Sequence, residues 1–292
     1  MESSQLTAFI AVAETASFSL AAEKLHLTQP AISKRIALLE GNLRVKLFDR
    51  IGRQVLLTEA GRILLDRART ITREINTTRI LIANLSSQVS GTLTLAASHH
   101  IGLHRLPPVL REYTERYPQV KIDISFLESE RAYEEVAHGG IELAIVTLAP
   151  HKLLKINAQS LWEDGLCLMI ARDHPLAGNS KVSFEDLVKF PVILPAENTF
   201  TRKLIEAQFQ ARGYNLKPEM STNYLETIRM MVSIGMAWSV LPRTMLDDDL
   251  RILNVRNFHI SRSLGYIVHE YHTLSNAANS FITVLEAHAD GH

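Results

Sequence analysis

Residues 18–41 read FSLAAEKLHLTQPAISKRIALLEG. The composition is helical at both ends, yet the chain breaks at HLTQP and restarts at once. Leu20, Ala21, Ala22 and Leu25 predict one short helix, whose adjacent alanines let a neighbour approach closely. A second begins after Thr28, a plausible N-cap, with Pro30 in the first turn, where its missing N–H costs nothing. Ile32, Ile36 and Leu39, spaced by four and three, form its buried stripe. Gln29, Ser33, Lys34 and Ala37 are left on another face at the head of this helix. Glutamine pairs with an adenine edge through two hydrogen bonds, while serine and lysine reach bases or phosphates. This is the layout of a recognition helix for a DNA major groove. An ordinary three-helix cluster with a solvated face fits the same pattern.

Working outward, Leu6, Phe9, Ile10 and Ala13 predict a first helix near residues 4–14. Downstream, residues 45–61 read VKLFDRIGRQVLLTEAG: a strand-like VKLF, a turn around Gly52 and a strand-like QVLLT. Arg50 and Arg53 flank the turn. A two-stranded hairpin after a helix-turn-helix is a wing, whose arginines reach phosphate or the minor groove; an arginine-tipped hairpin is otherwise a routine surface feature. From Glu59 to Gln88 there is no proline, and no glycine after Gly61. Leu64, Ala68, Ile71, Ile75, Thr78, Ile82 and Leu85 alternate at intervals of four and three, a heptad seam in which Thr78 is the weak member. Thirty helical residues make a rod about 45 Å long. Its narrow stripe needs cover, from a second copy or from its own domain. Pairing is favoured, because DNA readers of this size commonly bind paired half-sites. Residues 87–91 then predict a hinge.

The 292 residues suit two or three compact units, with 46% hydrophobic and 21% charged residues. No apolar run reaches membrane-span length and the start carries no signal-peptide pattern, so a cytoplasmic protein with no membrane partner is expected. The single cysteine, Cys167, excludes an internal disulfide, and its apolar setting reads as packed rather than reactive. The net charge of zero is unevenly spread: residues 1–88 hold 12 Lys/Arg against 8 Asp/Glu, leaving 19 against 23 for the rest. A basic head on a slightly acidic body suits a phosphate-binding module joined to something with another task.

Beyond Gly91, β-branched segments such as TLTLAAS, VKIDISFLE, ELAIVTLA, CLMIARD and LGYIVHE alternate with helix-like ones. This predicts an α/β fold with a ligand cleft at the carboxyl ends of its strands. Candidate ligand groups there are Ser98, His99, His100, Thr147, Asn198, Thr199, Phe200, Thr201 and Asn223, several just ahead of helices whose amides favour an anion. Each is equally an ordinary cap. His99, His100 and His104 have no accompanying carboxylate spacing, so no metal or cofactor is expected. No phosphate-loop, dinucleotide, nucleophile-elbow or zinc-protease motif occurs, and no catalytic set emerges. A solute-binding protein is the other reading of the body alone.

Taken together, residues 16–61 closely resemble the N-terminal winged helix-turn-helix of the LysR-type transcriptional regulators. The matches include Ser17-Phe18, Ala21-Ala22, Thr28-Gln29-Pro30, Leu39-Glu40, Leu47-Phe48-Asp49-Arg50 and Leu57-Thr58-Glu59-Ala60-Gly61. Farther on, AIVT after Glu142 and IRMMVSIGMAWSVLP at 228–242 look like effector-domain signatures of that family. The resemblance implies a winged helix-turn-helix at 1–58, a linker and dimerisation helix at 59–88, and a two-lobed periplasmic-binding-protein-like effector domain at 89–292. Lobe I would span about 91–161 and 267–292, lobe II about 162–266. It further implies promoter duplex DNA and a small effector as partners, contact with RNA polymerase, and a tetramer built as a dimer of dimers whose DNA bend the effector changes. The DNA-binding set would be Thr28, Gln29, Pro30, Ser33, Lys34, Arg50 and Arg53. A two-cysteine peroxide switch is not expected with Cys167 alone. Many members have glycine where this chain has Arg44, which suggests a turn made here without a positive φ, or an added phosphate contact.

Overall fold

The computed structural model describes residues 1–51, 54–85, 88–179 and 181–290. The chain divides into two compact units, Met1–Ser86 and Ser87–His292.

In the first unit, α1 (Ser3–Thr15), α2 (Phe18–Lys24) and α3 (Gln29–Leu43) precede β1 (Phe48–Ile51), β2 (Gln54–Leu57) and α4 (Glu59–Ala83). Ile32, Ile36 and Leu39 are buried with Leu6, Phe9, Val12, Ala21 and Ala22, so the stripe along α3 faces its own domain. Phe48 closes this core, its ring 5.3 Å from Phe9 and 5.9 Å from Phe18. β1 and β2 pair antiparallel. The expected strand VKLF shrinks to its last residue, because side chains fasten the chain before Phe48. Glu40 accepts from Leu47 N–H at 2.8 Å and from Lys46 Nζ at 2.7 Å. Thr58 Oγ1 donates to the Lys46 carbonyl at 2.7 Å and accepts from Gly61 N–H at 3.0 Å, capping α4. Burial opposes the Glu40 charge, but the bonds from Lys46 and Leu47 outweigh it and hold its pKa below the carboxylate range. Gly61 must lack a side chain: a Cβ there would lie 2.2 Å from the Leu47 carbonyl oxygen.

Arg44 departs from the sequence expectation. It caps α3 with φ 57 and ψ 30, in the left-handed region. The helix must reverse direction there, and the left-handed cap lets both Arg44 and Val45 N–H reach the Glu40 carbonyl. Ala16 after α1 and His26 after α2 adopt the same conformation, with φ 49 and 52.

The heptad seam is divided. Ala68 is fully buried in the unit's own core, and Leu64 and Ile71 pack against it. These three contact the core of their own domain. Farther along, Thr78 is exposed and donates to the Glu74 carbonyl, and Ile82 and Leu85 are 64% and 86% exposed.

The second unit runs β3 (Gly91–Ala97), α5 (His99–His104), α6 (Leu106–Arg116), β4 (Val120–Phe126), α7 (Ser129–Ala137), β5 (Leu143–Thr147) and β6 (Ile156–Ala171). It continues with α8 (Phe184–Leu187), β7 (Ile193–Leu194), α9 (Phe200–Gln210), β8 (Met220–Ser221), α10 (Leu225–Ser233) and β9 (Ser239–Pro242). β10 (Leu250–Ile252), β11 (Ile260–His269) and α11 (Asn276–Ala287) complete it. The main sheet has the order β10-β6-β11-β5-β3-β4, with β9 also on β6. β3, β4 and β5 are parallel, whereas β6 and β11 are antiparallel. Strands buried on both faces explain the continuous apolar runs. Leu143 and Ile145 enter one core with α6 and α11, while Ala144 and Val146 enter another with α7. Leu166, Leu168 and Ile170 of β6 likewise face one core of the other lobe, and Met169 faces a second.

β6 was legible only from Cys167 onward, yet it is one strand of 16 residues. It and β11 run through both lobes, across the divisions expected at 161 and 266. Their register shifts at Leu264/Gly265, where a Cβ on Gly265 would lie 1.9 Å from the Gln159 carbonyl oxygen.

Candidate functional site

On α3 the polar face is held by the rigid stripe beneath it. Thr28, Gln29, Pro30 and Lys34 are exposed and Ser33 is half-buried. Gln29 Nε2 donates to Ser33 Oγ at 3.0 Å, one turn apart, so each orients the other. Thr28 takes the N-cap position without a side-chain capping bond, which leaves its hydroxyl to the outer face. Arg50 lies on β1. Its side chain, and Arg53 altogether, lie outside the described residues.

Within the second unit, the carboxyl ends of β3 and β5 and the start of α9 surround a cavity of about 320 Å³. It brings together Ser98, His99, His100, Thr147, Thr199, Thr201 and Asn223 of the predicted set. Ser98 N–H donates to the Ile145 carbonyl at 3.0 Å, and Thr147 N–H to Ser129 Oγ at 3.0 Å. The His99 ring stacks on Phe126 and meets Tyr224 edge-on, at centroid separations of 5.4 and 5.1 Å. Thr199 caps α9 by accepting from Arg202 N–H at 3.2 Å. Asn223 accepts from Ala196 N–H at 2.9 Å and donates to Glu128 at 2.5 Å.

Two predicted residues are not in the wall. Asn198 is exposed in the loop before α9. Phe200 turns inward instead and meets Tyr133 edge-on at 5.6 Å, because an aromatic ring gains more from the core than from a polar rim.

Several residues in the lining or bonded to it escaped the sequence reading. Arg262 and Asp164 form a buried ion pair, with Nε and Nη2 each 2.8 Å from Asp164 Oδ2. Arg262 Nη1 also donates to Thr201 Oγ1 at 2.9 Å. A signal existed: Arg262 shares the buried phase of β11 with Ile260 and Leu264, and Asp164 shares that of β6 with Trp162 and Leu166. The two face each other directly in the ladder. Glu130 is the second omission. Its carboxylate accepts from Phe200 N–H at 2.6 Å, filling the start of α9 where an external anion was expected.

Burial, aided by the Arg262 charge, pushes the His100 pKa down to about 4, so this imidazole is neutral at neutral pH. Burial also raises the Cys167 thiol, consistent with a packed rather than nucleophilic role. Among the described residues no single helix is long and apolar enough to cross a membrane.

Residues 3–62 match the family profile described as bacterial regulatory helix-turn-helix protein, lysR family, and residues 86–290 match that of the LysR substrate binding domain. The HTH-type transcriptional activator CmpR of Synechocystis sp. is 31% identical over 289 residues, covering 97% of this chain and 94% of that protein. An HTH-type transcriptional regulator from the ibpB-leuC intergenic region of Azotobacter vinelandii is 66% identical over 108 residues, covering 37% of this chain and 75% of the relative. Among solved structures, full-length OxyR from Pseudomonas aeruginosa superposes with a TM-score of 0.68 at 22% identity, covering 99% of this chain and 94% of that one. With one profile over its head and the other over most of its length, this chain belongs to the LysR family of DNA-binding transcriptional regulators.

Proposed function

We propose that residues 1–58 read a duplex promoter site through Gln29, Ser33 and Lys34, and that a small polar effector held between the lobes of residues 89–292 controls the outcome. The observation that carries the DNA assignment is the exposed, mutually hydrogen-bonded Gln29–Ser33 pair on a helix whose opposite stripe is fully packed. Thr28 and Pro30 shape the entry of α3, and Arg50 and Arg53 supply phosphate contacts from the wing. The distal part of α4 from Ile75 onward, with Leu85 just past its end, pairs two copies, and two such dimers bend the DNA between their sites.

The cavity is of a size for a small metabolite. The Phe200 N–H at the start of α9 is already taken by Glu130, so an anionic effector enters by exchange: its carboxylate takes Phe200 N–H as Glu130 withdraws.

Fluorescence anisotropy on the chain's own upstream DNA at two salt concentrations tests the DNA reading. Gln29→Ala should lose about 1–3 kcal/mol of discrimination at one or two base pairs. Lys34→Ala should weaken binding to all sequences alike and reduce the salt slope by about one. If both variants bind every sequence as the parent does, α3 is not the reader.

A further inference from the structure

His100 and His104 sit one turn apart on α5, with ring centroids 4.6 Å apart. Glu226, on α10, comes from a segment more than a hundred residues later, which is why spacing along the chain concealed it. Its Oε1 lies 3.2 Å from His104 Nε2 and 3.5 Å from His100 Nδ1. The ligand atoms of all three residues lie within 4.8 Å of one another. Nδ1 of His100 is buried and has no hydrogen-bond partner among the described residues.

A histidine–carboxylate hydrogen bond explains one of these contacts. It does not explain a second imidazole nitrogen aimed at the same oxygen with its own hydrogen-bonding capacity unused. Two imidazoles and one carboxylate are the ligand set of a tetrahedral zinc-type ion. Bonds of about 2.0–2.1 Å at tetrahedral angles place neighbouring ligand atoms about 3.3 Å apart. Both contacts to Glu226 are close to that separation.

We infer that His100, His104 and Glu226 form a binding site for one divalent transition-metal ion of the zinc class, tying α5 to α10. Imidazole donors select against calcium and magnesium, which prefer all-oxygen shells. The three ligands leave a fourth position for water or a ligand atom. His100 also belongs to the cavity wall, so the ion adjoins the space assigned to the effector. Burial first, then the Arg262 charge, keeps His100 neutral, against the opposing pull of Asp164 and Glu226. Burial opposes the charge on Glu226, but its own backbone N–H and His104 outweigh that and hold its pKa below the usual carboxylate range.

The test uses the full-length chain stripped with a chelator and dialysed, then titrated with Zn²⁺ by calorimetry and with Co²⁺ by visible absorption. One ion should bind per chain, and Co²⁺ should develop the intense visible bands of a tetrahedral site. His104→Ala, at a half-exposed position that a folded chain tolerates, and Glu226→Gln should each weaken binding at least tenfold and abolish the bands. His138→Ala, on the exposed end of α7, should change neither. No binding of either ion, or binding that both His104→Ala and Glu226→Gln leave intact, overturns the site; the latter result would place the ion on other histidines.

Discussion

The outer face of α3 and the wall of the cavity proposed for the effector both carry polar groups, but they are built in opposite ways. On α3 the polar side chains face water and rest on an apolar stripe that does all the holding. Around the cavity, lining groups are held by one another and by neighbours: Arg262 by Asp164 and Thr201, Asn223 by Glu128, Glu130 by Phe200 N–H. The first surface is ready for its partner and loses little by change. The second resists disturbance, and a ligand must take over bonds that already exist.

The sharpest way to break that contrast is Asp164→Ala. It leaves the Arg262 guanidinium buried without its counter-charge, and the urea-determined stability of the second unit should fall by about 3–5 kcal/mol. Replacing Asp164 and Arg262 together by Leu and Met should recover most of it. Gln29→Ala and Lys34→Ala, by contrast, should alter stability by no more than about 0.5 kcal/mol. A neutral Asp164→Ala would show that the cavity charges are not structural, and the distinction between the two surfaces would fail.

The start of α4 and its far end, with Leu85 just beyond, repeat the contrast. Ile82→Asp with Leu85→Asp should raise the dimer dissociation constant at least tenfold, about 1.4 kcal/mol, in sedimentation velocity. The unfolding midpoint of the head itself should stay unchanged, because neither side chain enters its core. An unchanged dimer would move self-association elsewhere.

The smallest expected effect concerns Glu14, which pairs with Lys24 at 2.9 Å and Arg69 at 3.1 Å. Burial works against its charge, yet the hydrogen bonds and charges of Lys24 and Arg69 prevail and depress its pKa. The sign follows: its stabilising share is complete above the unfolded value near 4.5 and is lost as the pH falls through the lower folded value. Glu14→Gln should flatten the acid limb of the head's stability by less than about 1 kcal/mol, since the pair is partly exposed. An acid limb unaltered by Glu14→Gln would mean that the frame beneath α3 owes nothing to this ion pair.

What could be read from the chain follows the same division. The α3 stripe lies within eight residues, so spacings of four and three located it, and the packed core agrees. The cavity wall draws on α5, β4, α7, β5, α9, α10 and β11, and local periodicity carries no register between such distant segments. Arg262 and Asp164 were visible as charges on an apolar phase, but only the ladder shows that they are opposite each other. Phe200 was misplaced because a residue at a helix start has two faces to choose from, and apolar burial decided. Arg44 was misread because its side chain says nothing of the reversal that the chain must make after α3.

Those left-handed junctions at Ala16, His26 and Arg44 have a practical side. Each L-residue held there costs about 1–2 kcal/mol that glycine would not incur, less the entropy glycine loses on folding. The three joints of the DNA-reading head therefore hold a reserve of thermal tolerance that the parent chain leaves unclaimed. None of the three is among the residues assigned to DNA contact. An engineer seeking a hardier regulator could draw on that reserve without redesigning what it reads.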